Sequence, residues 1–187
     1  MDTNTIASLP EVNRTDAASV ATAFIKYGIL GNLYDLQYDL SVYGTPDNWF
    51  TFYKIDSGYE ENEPMDFGGN IFNSSDEYFA WRTMIRGGIK ENGTLCQDGT
   101  KLVISVVSDE EVTRERVTDF LTVYAETCPG AKHWLDTVDF DSIQAYREVD
   151  IQRSLTYPGE STSEDGIMVF LIQTKDGEWK VVLDYVV

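Results

Sequence analysis

The 187-residue chain carries 32 acidic against 14 basic residues, a formal charge of −18 at pH 7 and an isoelectric point near 4.2. That field repels nucleic-acid phosphates and anionic membrane surfaces, so no direct nucleic-acid binding is expected. No apolar run approaches the ~18–20 residues that cross a bilayer, so no membrane insertion of this chain is expected either. With 42% hydrophobic and 13% aromatic residues, apolar side chains are plentiful enough to offset chain entropy. The length suits one α+β domain, residues 16–187, behind a flexible tether, residues 1–15.

Residues 2–19, DTNTIASLPEVNRTDAAS, are polar and almost without periodicity, as in the tether left when an export signal or anchor is trimmed. Met1-Asp2-Thr3-Asn4 starts no signal peptide, which keeps a cytoplasmic setting beside the extracytoplasmic one. From Asp16 to Leu30, Val20, Phe24 and Tyr27 recur at helical spacing among small alanines. Thr15 or Asp16 suits the N-cap and Gly31-Asn32 the stop.

From Leu33 to Tyr43 the period becomes two, with Tyr34, Leu36, Tyr38, Leu40 and Val42 on one face; this predicts a half-buried strand. Gly44-Thr45-Pro46-Asp47-Asn48 is turn chemistry, and Trp49–Ile55, WFTFYKI, predicts the returning strand of a hairpin. Residues 56–75 read as a long irregular loop whose acids Glu60, Glu61, Glu63 and Asp66 offer an interaction surface. Ser74 or Ser75 then caps a helix reaching about Ile85, which Gly87-Gly88 ends.

A short strand from Leu95, an Asp98-Gly99 turn and a firmer strand over Lys101–Val107 follow. Ser108 to Glu111 has capping-box spacing, so the next helix is expected to open there, with Val117, Phe120, Leu121 and Tyr124 as its stripe and Pro129-Gly130 as its close. A short helical piece at Lys132–Thr137 precedes three strands: Ile143–Tyr157, Ile167–Thr174 and Glu178–Val187. A polar loop, residues 158–166, joins the first two, and Lys175-Asp176-Gly177 turns the closing hairpin.

The stretch Val112–Val187 resembles the nuclear-transport-factor-2-like (NTF2-like, cystatin-like) superfamily. The likeness rests on VTDFLTVYAETCPGAKHWLDTV, a long strand after Asp141, and a final hairpin carrying Gly177, Trp179, Lys180 and Val181. It implies a curved antiparallel sheet packed against helices. Trp179, Tyr124, Phe120 and Trp134 would then be core or pocket-wall residues. The α-β-β-α-β block ahead of the matching part departs from the family's usual order.

His133 is the sole histidine, which removes His-cluster metal sites and two-His mechanisms. No nucleophile elbow, phosphate loop, dinucleotide fingerprint or zinc-protease motif is present. Cys128 lies five residues from His133 across Pro129-Gly130, a turn and not a defined dyad. Cys96 and Cys128 are an even pair in turn-like settings, compatible with one disulfide if their Cα atoms lie within ~7 Å. Asp136, Asp139 and Asp141 could gather carboxylates but lack the glycine and final glutamate of a calcium loop. No cofactor or metal is expected, and the three Asn-x-Ser/Thr triplets at Asn13, Asn73 and Asn92 decide nothing.

These readings point to a non-enzymatic, extracytoplasmic bacterial binding or assembly module, taking a protein partner or a small apolar ligand, with a homodimer as a further option. An acidic inhibitor of a basic nucleic-acid-binding protein, of the immunity, anti-CRISPR or DNA-mimic kind, is the alternative. A small-pocket isomerase- or dehydratase-like enzyme is the third.

Overall fold

The computed structural model describes residues 11–30, 33–60, 62–85, 101–124, 130–156, 159 and 161–187, with backbone alone at 30 and 83–85. The stops at Gly31-Asn32 and Gly87-Gly88, the short strand from Leu95 with its Asp98-Gly99 turn, and Pro129 lie outside these residues.

Helix α1, Ala17–Leu30, forms as its periodicity predicts. Asp16 is its cap: the carboxylate accepts the Ala18 N–H at 3.0 Å and the Ser19 N–H at 3.3 Å. The strand expected over Leu33–Tyr43 is instead helix α2, Tyr34–Asp39. Tyr34, Gln37 and Tyr38 are buried at i, i+3 and i+4, while Leu36, an apolar member of the alternating set, is 43% exposed. The two periods compete over so short a run. The helical one wins because it packs Tyr34 and Tyr38 against Phe79, tilted and edge-on at ring separations of 4.5 and 5.5 Å.

The expected returning strand is helix α3, Pro46–Asp56. Gly44-Thr45-Pro46-Asp47-Asn48 suits a hairpin turn, yet Thr45-Pro46 is equally a helix N-terminus. The Thr45 hydroxyl accepts the Asn48 N–H at 3.2 Å, and Pro46 occupies the first turn, where its missing N–H costs nothing. Within residues 56–75, expected to be irregular, Met65–Phe67 (β1) and Asn70–Phe72 (β2) pair as a hairpin. Gly68 and Gly69, at φ 60° and 86°, make the two-residue turn that only positive φ at both positions allows.

Helix α4, Ser75–Ile85, follows with the Ser74 hydroxyl accepting the Glu77 N–H at 3.3 Å. The Asn73 backbone N–H and side-chain amide, at 2.7 and 3.1 Å from the Glu77 carboxylate, hold that carboxyl below its ordinary 4.5. A depressed carboxylate stabilises the native state above its unfolded pKa, and the contribution is lost as pH falls through the folded one. An NMR titration of the Asn73 amide is therefore expected to show a midpoint below 4.5, absent in Glu77→Gln. A midpoint at or above 4.5 would contradict this cap.

Strand β3 runs Lys101–Glu111, four residues beyond Val107, and the next helix, α5, spans Arg114–Val123 with Thr113 as its cap. Ser108 does not cap it. Its hydroxyl donates to Asp150 at 2.7 Å across a bulge, Asp109 pairs with Arg147 at 3.0 Å, and Glu111 sits opposite Arg147 in the ladder. The partner strand thus draws the acidic run into the sheet. Helix α6, Ala131–Thr137, then leads to β4 (Ala145–Thr156), β5 (Thr162–Gln173) and β6 (Trp179–Val186). β5 begins before Ile167 because Thr162 to Gly166 continue the ladder against Thr156 to Gln152.

The fold is α+β: a four-stranded antiparallel meander, β3-β4-β5-β6, with helices on both faces. The run Ile167–Ile172 is almost wholly apolar because β5 is buried on both sides. Ile167, Val169 and Leu171 pack in the core shared with α1, and Phe170 and Ile172 in the core shared with α5 and α6. The outer edge of β6 is met by residues 40–42, which add in parallel: the Val42 N–H donates to Val181 O at 2.9 Å and the Val181 N–H to Leu40 O at 2.8 Å. Beyond this edge, α2, α3, the β1–β2 hairpin and α4 share a third, aromatic-rich core around Tyr38, Phe50, Tyr78 and Phe79.

That third core is tied to the sheet's helices through Asp56. The carboxylate at the end of α3 accepts the Lys132 N–H at 3.1 Å and the His133 N–H at 2.9 Å, capping α6, whose own N-cap, Gly130, has no side chain to do so. Asp56→Ala is expected to cost about 1–2 kcal/mol in urea unfolding. Unchanged stability would mean that water replaces the cap without loss.

Candidate functional site

The predicted pocket-wall residues fall on opposite faces of the sheet. Phe120 stacks on Tyr124 at 4.4 Å and meets Phe170 at 4.9 Å, and the buried Trp134 belongs to the same core. Trp179 lies across the sheet in the core with α1 and is approached by the Arg147 guanidinium at 6.0 Å from its ring centre. Both faces are closely filled there, since Val117, Leu121, Val149, Val169 and Phe170 have no appreciable exposure. The four residues therefore wall two packed cores.

The acids of residues 56–66 spend hydrogen-bonding capacity on their own chain. Glu63 accepts the Glu60 N–H at 3.1 Å, and Asp66 accepts the Gly69 N–H at 2.8 Å, bracing the β1–β2 turn. Glu61, Cys96 and Cys128 lie outside the described residues. His133 sets its ring edge-on to Phe52 at 4.4 Å. Asp139 accepts the Asp141 N–H at 3.1 Å, a local turn, and no cluster among the described residues gathers three potential metal ligands.

Two concavities are formed by elements far apart in sequence. The first, about 380 Å³, is a largely apolar groove between α1 and β3, with Thr22, Ala23 and Tyr27 on one bank and Leu102, Val103 and Ile104 on the other. The second, about 240 Å³, lies where the C-terminal half of α1, the α2–α3 segment, α4 and the sheet converge. Phe24, Tyr38 and Trp49 give it aromatic walls, Ser41 and Gln37 line it, and Arg82, Arg153 and Asp184 bring charge into it.

The physical chemistry of the second cavity is unusual for this acidic chain. Arg153 follows Val149 and Ile151 in the period-two pattern of β4, so strand geometry turns it toward α1. One guanidinium nitrogen, Nη2, is paired with Asp165 on β5, while Nε is buried without a hydrogen-bond partner. A buried donor without an acceptor costs about 1–3 kcal/mol. Arg82 enters from α4. Burial is the largest influence on its guanidinium and lowers it, yet the neighbouring acidic groups, the Asp184 carboxylate among them, leave it above its ordinary value. Burial likewise pushes the Tyr38 phenol well above its usual range. Arg82 stays charged and Tyr38 stays neutral at any physiological pH.

Sequence reasoning passed over Arg82 and Arg153 because each stands alone among apolar and polar neighbours. The signal available was positional: an arginine at an inward site of a strand whose preceding inward residues are Val149 and Ile151. Comparison of the chain with family models, curated proteins and solved structures found no match.

Proposed function

We propose that the chain is a non-enzymatic binding module, NTF2-like over residues 112–187, that takes a small ligand in the cavity between α1, β6 and the α2–α4 segment. The observation that carries this reading is a cavity with aromatic walls, Phe24, Tyr38 and Trp49, whose lining also brings Arg82, Arg153 and Asp184 together. An isomerase-like site within the sheet core would need volume that Phe170 and its neighbours occupy. The exported setting is part of the same proposal: a thiol count on natively exported protein should find none free, and two free thiols would count against it.

A ligand-observed NMR screen of small aromatic acids, amides and alcohols tests the binding reading. Val186 lines the cavity and is 52% exposed, so Val186→Trp should cover its mouth without repacking a core. Compounds that bind the wild-type chain, are recovered unchanged and are lost on Val186→Trp support the module. Binding of none, or binding indifferent to Val186→Trp, overturns it. Retention of a basic nucleic-acid-binding protein at low salt, in that second case, would favour the acidic inhibitor.

A further inference from the structure

The sheet itself leaves a second surface open, apart from the cavity. The outer edge of β6 is met by residues 40–42, whereas among the described residues no backbone pairs with the outer edge of β3. Sheets usually guard such edges with short strands, proline or charges along the strand. β3 is 11 residues long, and its stretch 102–107, LVISVV, holds neither charge nor proline. Val103, Val106 and Val107 are exposed on it. The charges stand at its two ends, Lys101 before the apolar run and Asp109, Glu110 and Glu111 after it. Asp109 is paired with Arg147, and Glu111 lies opposite Arg147. Glu110 instead lies opposite Glu148, whose carboxylate is taken by Arg116. Neither Lys101 nor Glu110 has an ion-pair partner among the described residues.

We infer that β3 pairs antiparallel with the β3 of a second copy about a two-fold axis at Ser105, joining two four-stranded sheets into one of eight strands. Such a pairing sets residues of the same face opposite one another. Leu102 and Ile104 take the α1 face, as does Val106 opposite Ile151, so Lys101, Val103 and Ser105 take the other. Val107 has no partner on β4, and beyond this bulge Ser108 and Glu110 rejoin the face of Ser105, opposite Asp150 and Glu148. With the axis at Ser105, Ile104 meets the second copy's Val106, Leu102 its Asp109 and Lys101 its Glu110, each twice. An axis at Val103, Ile104 or Val106 leaves Lys101 without Glu110, and a parallel pairing sets like charges together. The antiparallel pair gives Glu110 the cation that β4 denies it. It also lays the second copy's Val106 beside Ile104, on the bank of the apolar groove between α1 and β3.

Sedimentation equilibrium of the full chain across a concentration series tests this, at physiological salt, where repulsion between two copies of charge −18 is screened beyond about 8 Å. The wild-type chain is expected to pass from monomer to dimer, with amide exchange in β3 slowing as it does. Lys101→Glu and Glu110→Lys should each weaken the dimer about tenfold, because each sets like charges opposite one another at two places. The combined variant restores opposite charges and should return to within about threefold of wild type. Both side chains are exposed, so neither change threatens the fold. Val106→Lys, a charge inside the apolar run, should abolish pairing. A chain that stays monomeric, or a dimer indifferent to both charge reversals, overturns the inference. Weakening by both without recovery in the combined variant does so too. A monomer whose β3 amides are protected at every concentration would mean that the chain covers its own edge. None of these outcomes touches the ligand reading, which Val186→Trp tests separately.

Discussion

Phe170→Ala is expected to lower the free energy of unfolding by about 3–5 kcal/mol, a large share of the ~5–15 kcal/mol that stabilises a typical domain. Phe170 has no exposed surface, and its ring packs 4.9 Å from Phe120, beside Val117, Leu121 and Trp134. Removing it leaves a void between β5 and α5 that neighbours on a hydrogen-bonded strand cannot collapse to fill. Urea unfolding measures the loss, and Phe170→Leu, about half as costly by retained volume, covers the case in which alanine unfolds the chain. Amide exchange should accelerate first in α5 and α6. A loss under 1 kcal/mol, or faster exchange confined to α1, would show that this face of the sheet is not packed as described.

Trp179→Ala is expected to cost a similar ~3–5 kcal/mol, but on the other side of the sheet. Trp179 is 7% exposed and packs with the α1 residues, while its backbone N–H donates to Arg14 O at 2.8 Å. The alanine variant keeps that hydrogen bond and loses the ring, so the change reports packing alone. Exchange should accelerate in α1 and residues 11–16, with α5 protected nearly as before. Because Phe170 and Trp179 face separate cores, the double variant should be additive to within roughly 0.5 kcal/mol. Strong non-additivity would mean that the two cores act as one.

These two positions also mark where sequence reasoning reached its limit. Trp179 and Phe120 both fall in the stretch with the family likeness; Trp179 is buried in one core and Phe120 is partly buried against the other. Phe120 takes the face on which α5 packs, whereas the faces along β6 depend on its register, where a bulge opposite Phe170 and Leu171 shifts the pattern by one residue. No property of the residues KVVLDYV announces that shift. The errors at Leu33–Tyr43 and Trp49–Ile55 have a different cause: aromatic residues fit a strand face or a helix stripe, and their preference is set by what they pack against. The cap chemistry of Thr45-Pro46 was visible, but it is shared by turns and helix starts. The capping-box spacing of Ser108 and Glu111 was likewise real, and β4 offered those residues better partners.

By itself the sequence determined the elements whose signals are long and local. The α1 stripe with a cap at Thr15 or Asp16, the strands β4, β5 and β6 with the Asp176-Gly177 turn, and the continuous apolar run of β5 each follow from periodicity and turn chemistry within one segment. Only the tertiary structure decided that α2 and α3 are helices, that the helices divide between the two faces of the sheet, and that Arg82 and Arg153 meet in one cavity. The physical reason is range. Backbone propensity and amphipathic period act over a few residues, whereas packing an aromatic ring, or bringing two guanidinium groups to one space, depends on elements that the chain connects only by folding.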